Sequence, residues 1–147
     1  MRKITLFLAF LMILGQGVAK ADKDLLLESL GTFIASDLLS SYVAIGSVSD
    51  LYAYGKYSVE NTKSIINFQK QMIKNKQDAI KKLIDAGDFE GSDISFGYQV
   101  IEVYGYLDQE SAYLLKYIES KEHSDADNFQ YFRKKAWAGI KSLLGIQ

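Results

Sequence analysis

The chain contains no cysteine and no proline, and it has one histidine and one tryptophan. Without cysteine there can be no disulfide, no thiolate metal ligand, no CxxCH haem attachment and no lipid-anchored lipoprotein form. His123 is the only imidazole, in a polar stretch KEHSDAD. A two-histidine metal site and a di-iron centre built on two Glu-x-x-His pairs are therefore excluded, and a Ser-His-Asp triad has only this one candidate base. A cation loop at KEHSDAD is not expected, because its acids match no known ligand spacing. No proline means no proline kinks, which favours straight helices joined by Gly, Ser and Asp.

The N-terminus reads as a leader. Arg2 and Lys3 precede the apolar run Ile4 to Leu14, broken only by Thr5, and Ala19-Lys20-Ala21 comes just before Asp22. Basic head, apolar run and small-x-small end are the order of a secretory signal peptide. The run is too short to span a bilayer, which takes about 20 residues. The expectation is a signal peptide over 1–21, cleaved after Ala21, and a single domain over 22–147. The product is a periplasmic or secreted protein with no transmembrane segment in its mature chain. Met1 and Met12 would leave with the leader, so Met72 is the only methionine left to ligate a noncovalent haem; no cofactor and no metal are expected.

Periodicity predicts four helices. Over 27–52, Leu27, Leu30, Ile34, Leu38, Ile45, Val48 and Tyr52 share one stripe, interrupted only by Ser41. This stretch is poor in charge, and it is expected to be the helix on which the others pack. Gly55 and Ser58 mark a turn and an N-cap. A helix over 59–86 follows, with Ile65, Ile66, Phe68, Met72, Ile73, Ala79, Ile80, Leu83 and Ile84 inward. The third, over 94–120 with Ser92 or Asp93 as cap, starts in the β-forming ISFGYQVIEVYGY. Yet Phe96, Val100, Val103, Leu107, Leu114 and Ile118 keep helical spacing, broken only at Glu110. A lone strand would lack a partner, so helix is expected throughout. The fourth is expected from a Ser124–Asp127 capping arrangement to about Leu144, with Phe129, Phe132, Ala136, Ile140 and Leu143 inward.

Charge arranges these helices. Residues 22–55 carry one Lys against five acids; 56–84 carry seven Lys against two acids. Residues 85–127 carry two Lys against eleven acids, and 128–147 carry Arg133, Lys134, Lys135 and Lys141 with no acid. Signs thus alternate along the chain. In an up-down-up-down bundle every neighbouring pair is then opposite in sign. Exposed pairs are worth about 0–1 kcal/mol each, so the pattern selects a topology more than it stabilises one. The expected fold is an all-α, antiparallel up-down-up-down four-helix bundle.

No catalytic constellation is legible, and no catalytic residue is predicted. Glu102, amid apolar VIEVYG, is read as a boundary carboxylate facing a Lys of the second helix; Asp37 and Asp50 are read likewise. Lys70, Lys74, Lys76, Lys81 and Lys82 form a solvated face rather than a nucleic-acid site, since the segments after the leader are acidic in sum and no aromatics are interleaved. Two features are left as candidates. Tyr52, Tyr54 and Tyr57 at the first turn form a candidate interaction patch, because Tyr is favoured at interfaces. Gly97 and Gly105, eight apart on the third helix, mark places for a close neighbour or a ligand. The function expected is non-catalytic binding, with another exported protein as partner. The alternative is a carrier of a small apolar ligand in the bundle core, and an enzyme ranks third.

Overall fold

The computed structural model describes the backbone of residues 2–146 and the side chains of residues 25–146. The described residues form four α-helices and no strand: α1 (Arg2–Ala53), α2 (Val59–Asp85), α3 (Ser92–Ser120) and α4 (His123–Leu144). The stretch 94–106 is helical throughout, despite its β-forming composition. Its helical stripe explains why: Val100, Val103, Leu107, Leu114 and Ile118 are all buried, so packing overrides local propensity.

The chain divides into two compact units, Met1–Ile34 and Ala35–Gln147. In the first, Ser29 and Thr32 donate their hydroxyls to the carbonyls of Leu25 and Glu28, at 2.8 and 3.1 Å. Leu25, Leu26 and Phe33 are exposed. The predicted signal peptide, 1–21, lies outside the residues whose side chains are described. By length and composition, the stretch Leu25–Ala53 of α1 is long and apolar enough to cross a membrane, with a mean hydropathy of 1.2. A core helix of a soluble protein, or a signal sequence, meets the same measure.

In the second unit, α3 packs against both α2 and α4. Pairs across α2 and α3 run in opposite senses along the two helices. Lys63 meets Glu119, Lys70 meets Asp108 at 2.6 Å, and the Gln77 amide donates to the Ile101 carbonyl at 3.0 Å. Across α3 and α4 the order is likewise reversed, from Ser120 with Asp125 to Glu110 with Arg133. The segment of α1 from Ala35 onward touches α2 through Asp37 and Lys76, and α4 through Tyr42 and Trp137. The ion pairs Lys63–Glu119, Lys70–Asp108, Lys76–Asp37 and Arg133–Glu110 each join segments of opposite net charge.

Several expectations are corrected. Among the described residues, α3 buries more side chains than α1, which leaves Leu39 and Val43 exposed. On α2 the buried seam is Ile66, Ile73 and Ile80, a seven-residue repeat, while Phe68 and Met72 face outward at 62 and 36% exposure. The reason is angular: Phe68 follows Ile66 by two residues, about 200° round the helix. Ser58 does cap α2, accepting from the Asn61 amide at 3.1 Å. Ser92 and Ser124 do not cap; each lies inside its helix, behind Gly91 and Glu122. Ser120 serves the α3–α4 joint instead, taking the Glu122 amide at 3.0 Å and donating to Asp125 at 2.6 Å. Gly55 ends the first turn at φ +65°, a conformation an L side chain rarely adopts.

Candidate functional site

Two polar clusters lie between the helices, and each includes a position that breaks a sequence stripe, Ser41 in one and Glu110 in the other. The first surrounds Asp37 on α1. Its carboxylate accepts the Tyr104 hydroxyl of α3 at 2.6 Å and the Lys76 ammonium of α2 at 2.8 Å. Lys76 also reaches the buried Ser41 hydroxyl at 3.4 Å. Burial, with the hydrogen bond and charge of Asp37 behind it, pushes the Tyr104 hydroxyl far above the ordinary tyrosine value. Tyr104 is thus held as a proton donor, and the cluster ties three helices together.

The second cluster surrounds Glu110 on α3, whose side chain is 0% exposed. Its Oε1 accepts from Arg133 Nη1 of α4 at 2.7 Å, while Oε2 has no partner. Burial pushes the carboxyl up to about 7, and the hydrogen bond and charge of Arg133 only partly oppose it. The guanidinium also lies 4.1 Å from the centre of the Tyr42 ring, and Tyr42 stacks on Trp137 at 5.4 Å. Gly46 makes room for it. A Cβ there would fall 2.6 Å from Nη1 and 2.7 Å from Cζ of Arg133. Glycine at 46 is therefore a notch in α1 into which Arg133 of α4 is set.

Two clefts open on the surface of this unit. Between α1 and α2 lies one of about 250 Å³, lined by Asp37, Ser40, Ser41, Ala44, Phe68, Gln69, Met72 and Lys76. Between α3 and α4 lies one of about 270 Å³, with Gln99, Glu102, Tyr106, Lys135 and Ser142 around a floor that includes Val103 and Gly139. Glu102 therefore faces α4 and accepts the Tyr106 hydroxyl of its own helix, rather than facing a lysine of α2. That hydrogen bond raises the Tyr106 hydroxyl above its usual value.

Of the predicted site residues, Tyr54 is 78% exposed, while Tyr52 and Tyr57 are half-buried. Tyr52 meets Lys121 of the α3–α4 joint, whose ammonium lies 4.5 Å from its ring centre and 5.6 Å from that of Tyr117. Among the described residues, no ring contact joins Tyr52, Tyr54 and Tyr57 to one another. Gly97 faces Ile84 and the Phe89 ring, which a Cβ would meet at 2.9 and 3.0 Å. Gly105 faces Gln77 at 3.7 Å, and neither glycine lines either cleft. His123 is exposed in the first turn of α4. Among the described residues, no group of three His, Cys, Asp or Glu is placed to hold a metal ion.

Sequence reasoning missed Glu110, Arg133 and Gly46. One signal for them exists: Glu110 occupies a core position of its stripe, and Arg133 is the only arginine besides Arg2. A charge fixed inside a helical stripe demands a partner of opposite sign, and a guanidinium suits a buried carboxylate best. No protein-family model, curated protein or solved structure matches the chain.

Proposed function

We propose that the chain is an exported, non-catalytic binding protein, an up-down-up-down four-helix bundle released by cleavage after Ala21. The reversed pairing across α2–α3 and α3–α4 supports that topology. The basic head, apolar run and Ala19-Lys20-Ala21 support export. One observation carries the binding role. Phe68 and Met72 sit on the wall of an open α1–α2 cleft beside the uncharged Ser40, Ser41 and Ala44, with the Asp37–Lys76 ion pair at its side. Apolar side chains set in a concave surface whose two charges neutralise each other suit the centre of a protein interface. The carboxylates of Asp37 and Glu110 meanwhile serve as helix ties, which suits a scaffold better than an acid–base site. For the carrier alternative, the close approach of Ile84 and Phe89 to Gly97 favours packing over a ligand gap.

The partner is another exported protein with an apolar, weakly charged contact surface. Mature chain used as bait in an envelope or culture-fluid extract is expected to retain one partner at fixed stoichiometry. Phe68→Asp is expected to lose it, and Lys74→Ala, on an exposed position of the same helix, to keep it. No retained partner, or equal retention by both variants, overturns the reading. N-terminal sequencing is expected to start at Asp22, in material that stays soluble after carbonate washing. A start at Met1 in membrane pellets would instead mean that the apolar N-terminal helix anchors the protein.

A further inference from the structure

The cluster around Arg133 has the parts of a switch. A wholly buried carboxylate has one oxygen satisfied by the guanidinium and the other unpartnered. The guanidinium is held by charge in a notch that only glycine leaves open, and its own side chain is 24% exposed, so it has a route to water. Its remaining ties are weak: the Tyr42 carbonyl at 3.4 Å and the face of the Tyr42 ring. We propose that Glu110 and Arg133 form a proton-operated latch, in which protonation of Glu110 frees the Arg133 guanidinium from the notch at Gly46 and loosens α4 against α1.

The charges around Glu110 are few. α4 presents Arg133, the one charge that bears on it among the described residues. α1 brings the Tyr42 ring and carbonyl to the guanidinium, with Gly46 beneath it. On α3 itself, Asp108 is engaged by Lys70 of α2 at 2.6 Å. With the carboxylate ionised, leaving the notch would strand a buried charge, which is strongly unfavourable. With the carboxyl neutral, that restraint is gone, and the guanidinium gains hydration by turning outward. The carboxyl's balance point near neutrality places the change within the range an exported protein meets. The latch operates whether or not the α1–α2 cleft binds a partner.

The protein carries its own reporter, because its single tryptophan, Trp137, stacks on the ring that Arg133 covers. The test follows Trp137 emission and the Glu110 carboxyl carbon shift of the full chain together, from about pH 5 to about pH 9. Both are expected to change with one shared midpoint, about pH 7. Glu110→Gln is expected to abolish the emission change. His123→Ala, which removes the only imidazole, is expected to leave it intact. Emission that stays flat while the carboxyl titrates overturns the latch, as does a carboxyl that does not titrate. So does an emission change that survives Glu110→Gln. Should that variant not fold, coincidence of the two midpoints in the unsubstituted chain decides, and separate midpoints refute the proposal.

Discussion

Gly46→Ala is the sharpest single test of the interior. In an ordinary helix position, alanine is favoured over glycine by about 1 kcal/mol. Here the added Cβ would strike the Arg133 guanidinium, with Nη1 at 2.6 Å and Cζ at 2.7 Å. On sterics alone the collision is mild, because the struck group is the end of a flexible side chain. Electrostatics makes it costly. The guanidinium can withdraw only by leaving Glu110, which has no exposure and no second donor. Breaking a buried pair by removing one partner costs about 3–5 kcal/mol. At about pH 9, two units above the carboxyl's balance point, taking up a proton costs Glu110 about 3 kcal/mol, which holds the loss to the low end of that range. Less the helix gain, Gly46→Ala is expected to destabilise the protein by about 2 kcal/mol, lowering the melting temperature by about 6–10 °C. In an Arg133→Ala background the notch is empty and the same substitution should stabilise by about 1 kcal/mol. The coupling of about 3 kcal/mol is read from a double-mutant cycle of urea unfolding curves. If Gly46→Ala raises the midpoint of the otherwise unchanged protein, or costs the same in both backgrounds, the notch-and-plug reasoning is wrong.

Glu110 also sets a pH dependence of stability. Its folded value, about 7, lies above the ordinary 4.5, so the unfolded chain gives up this proton first and stability falls as pH rises across that window. The difference in unfolding free energy between the unsubstituted chain and Glu110→Gln is expected to shrink by about 3 kcal/mol from pH 4.5 to 7, measured by urea unfolding at each pH; a constant difference contradicts it. Gly139→Ala should destabilise by about 1–3 kcal/mol, since its Cβ would meet Val103 Cγ2 at 2.5 Å and the helices would have to part; thermal unfolding measures this. Asp37→Ala should cost about 1–2 kcal/mol in chemical unfolding by stripping Tyr104 and Lys76 of their acceptor. Asp37→Asn, which still accepts from Tyr104, should cost less.

How far the sequence reaches depends on the range over which each feature is specified. Turns are local, and so Gly55 and the Ser58 cap are legible one residue at a time, although Ser92 and Ser124, equally good cap residues, lie inside their helices. Which helices exist is a regional property, and the stripes of α3 and α4 identify their buried faces correctly. On the buried faces, errors begin where two stripes compete on one helix. On α2 the set containing Phe68 and Met72 and the heptad Ile66–Ile73–Ile80 are both apolar, and only the position of α3 selects between them. The side chain that loses that choice is left at the surface. That is why the proposed interface is invisible in the periodicity: it consists of residues that look like core.

The interior polar clusters are harder still, because their logic is spread over the chain. Ser41 and Glu110 show in the sequence only as flaws in a stripe, and a flaw does not say whether a partner exists. The partner of Glu110 lies on another helix, and its seat is an absence, the missing Cβ of Gly46 on a third. None of the three positions is informative alone. Glycine at 46 without Arg133 is a helix defect, Arg133 without Glu110 is a surface cation, and Glu110 without Arg133 is an uncompensated buried charge. Only together do they make a stable tie. Such a tie fixes the register of α1, α3 and α4 more tightly than apolar contacts alone, because sliding any one helix by a turn strands the carboxylate.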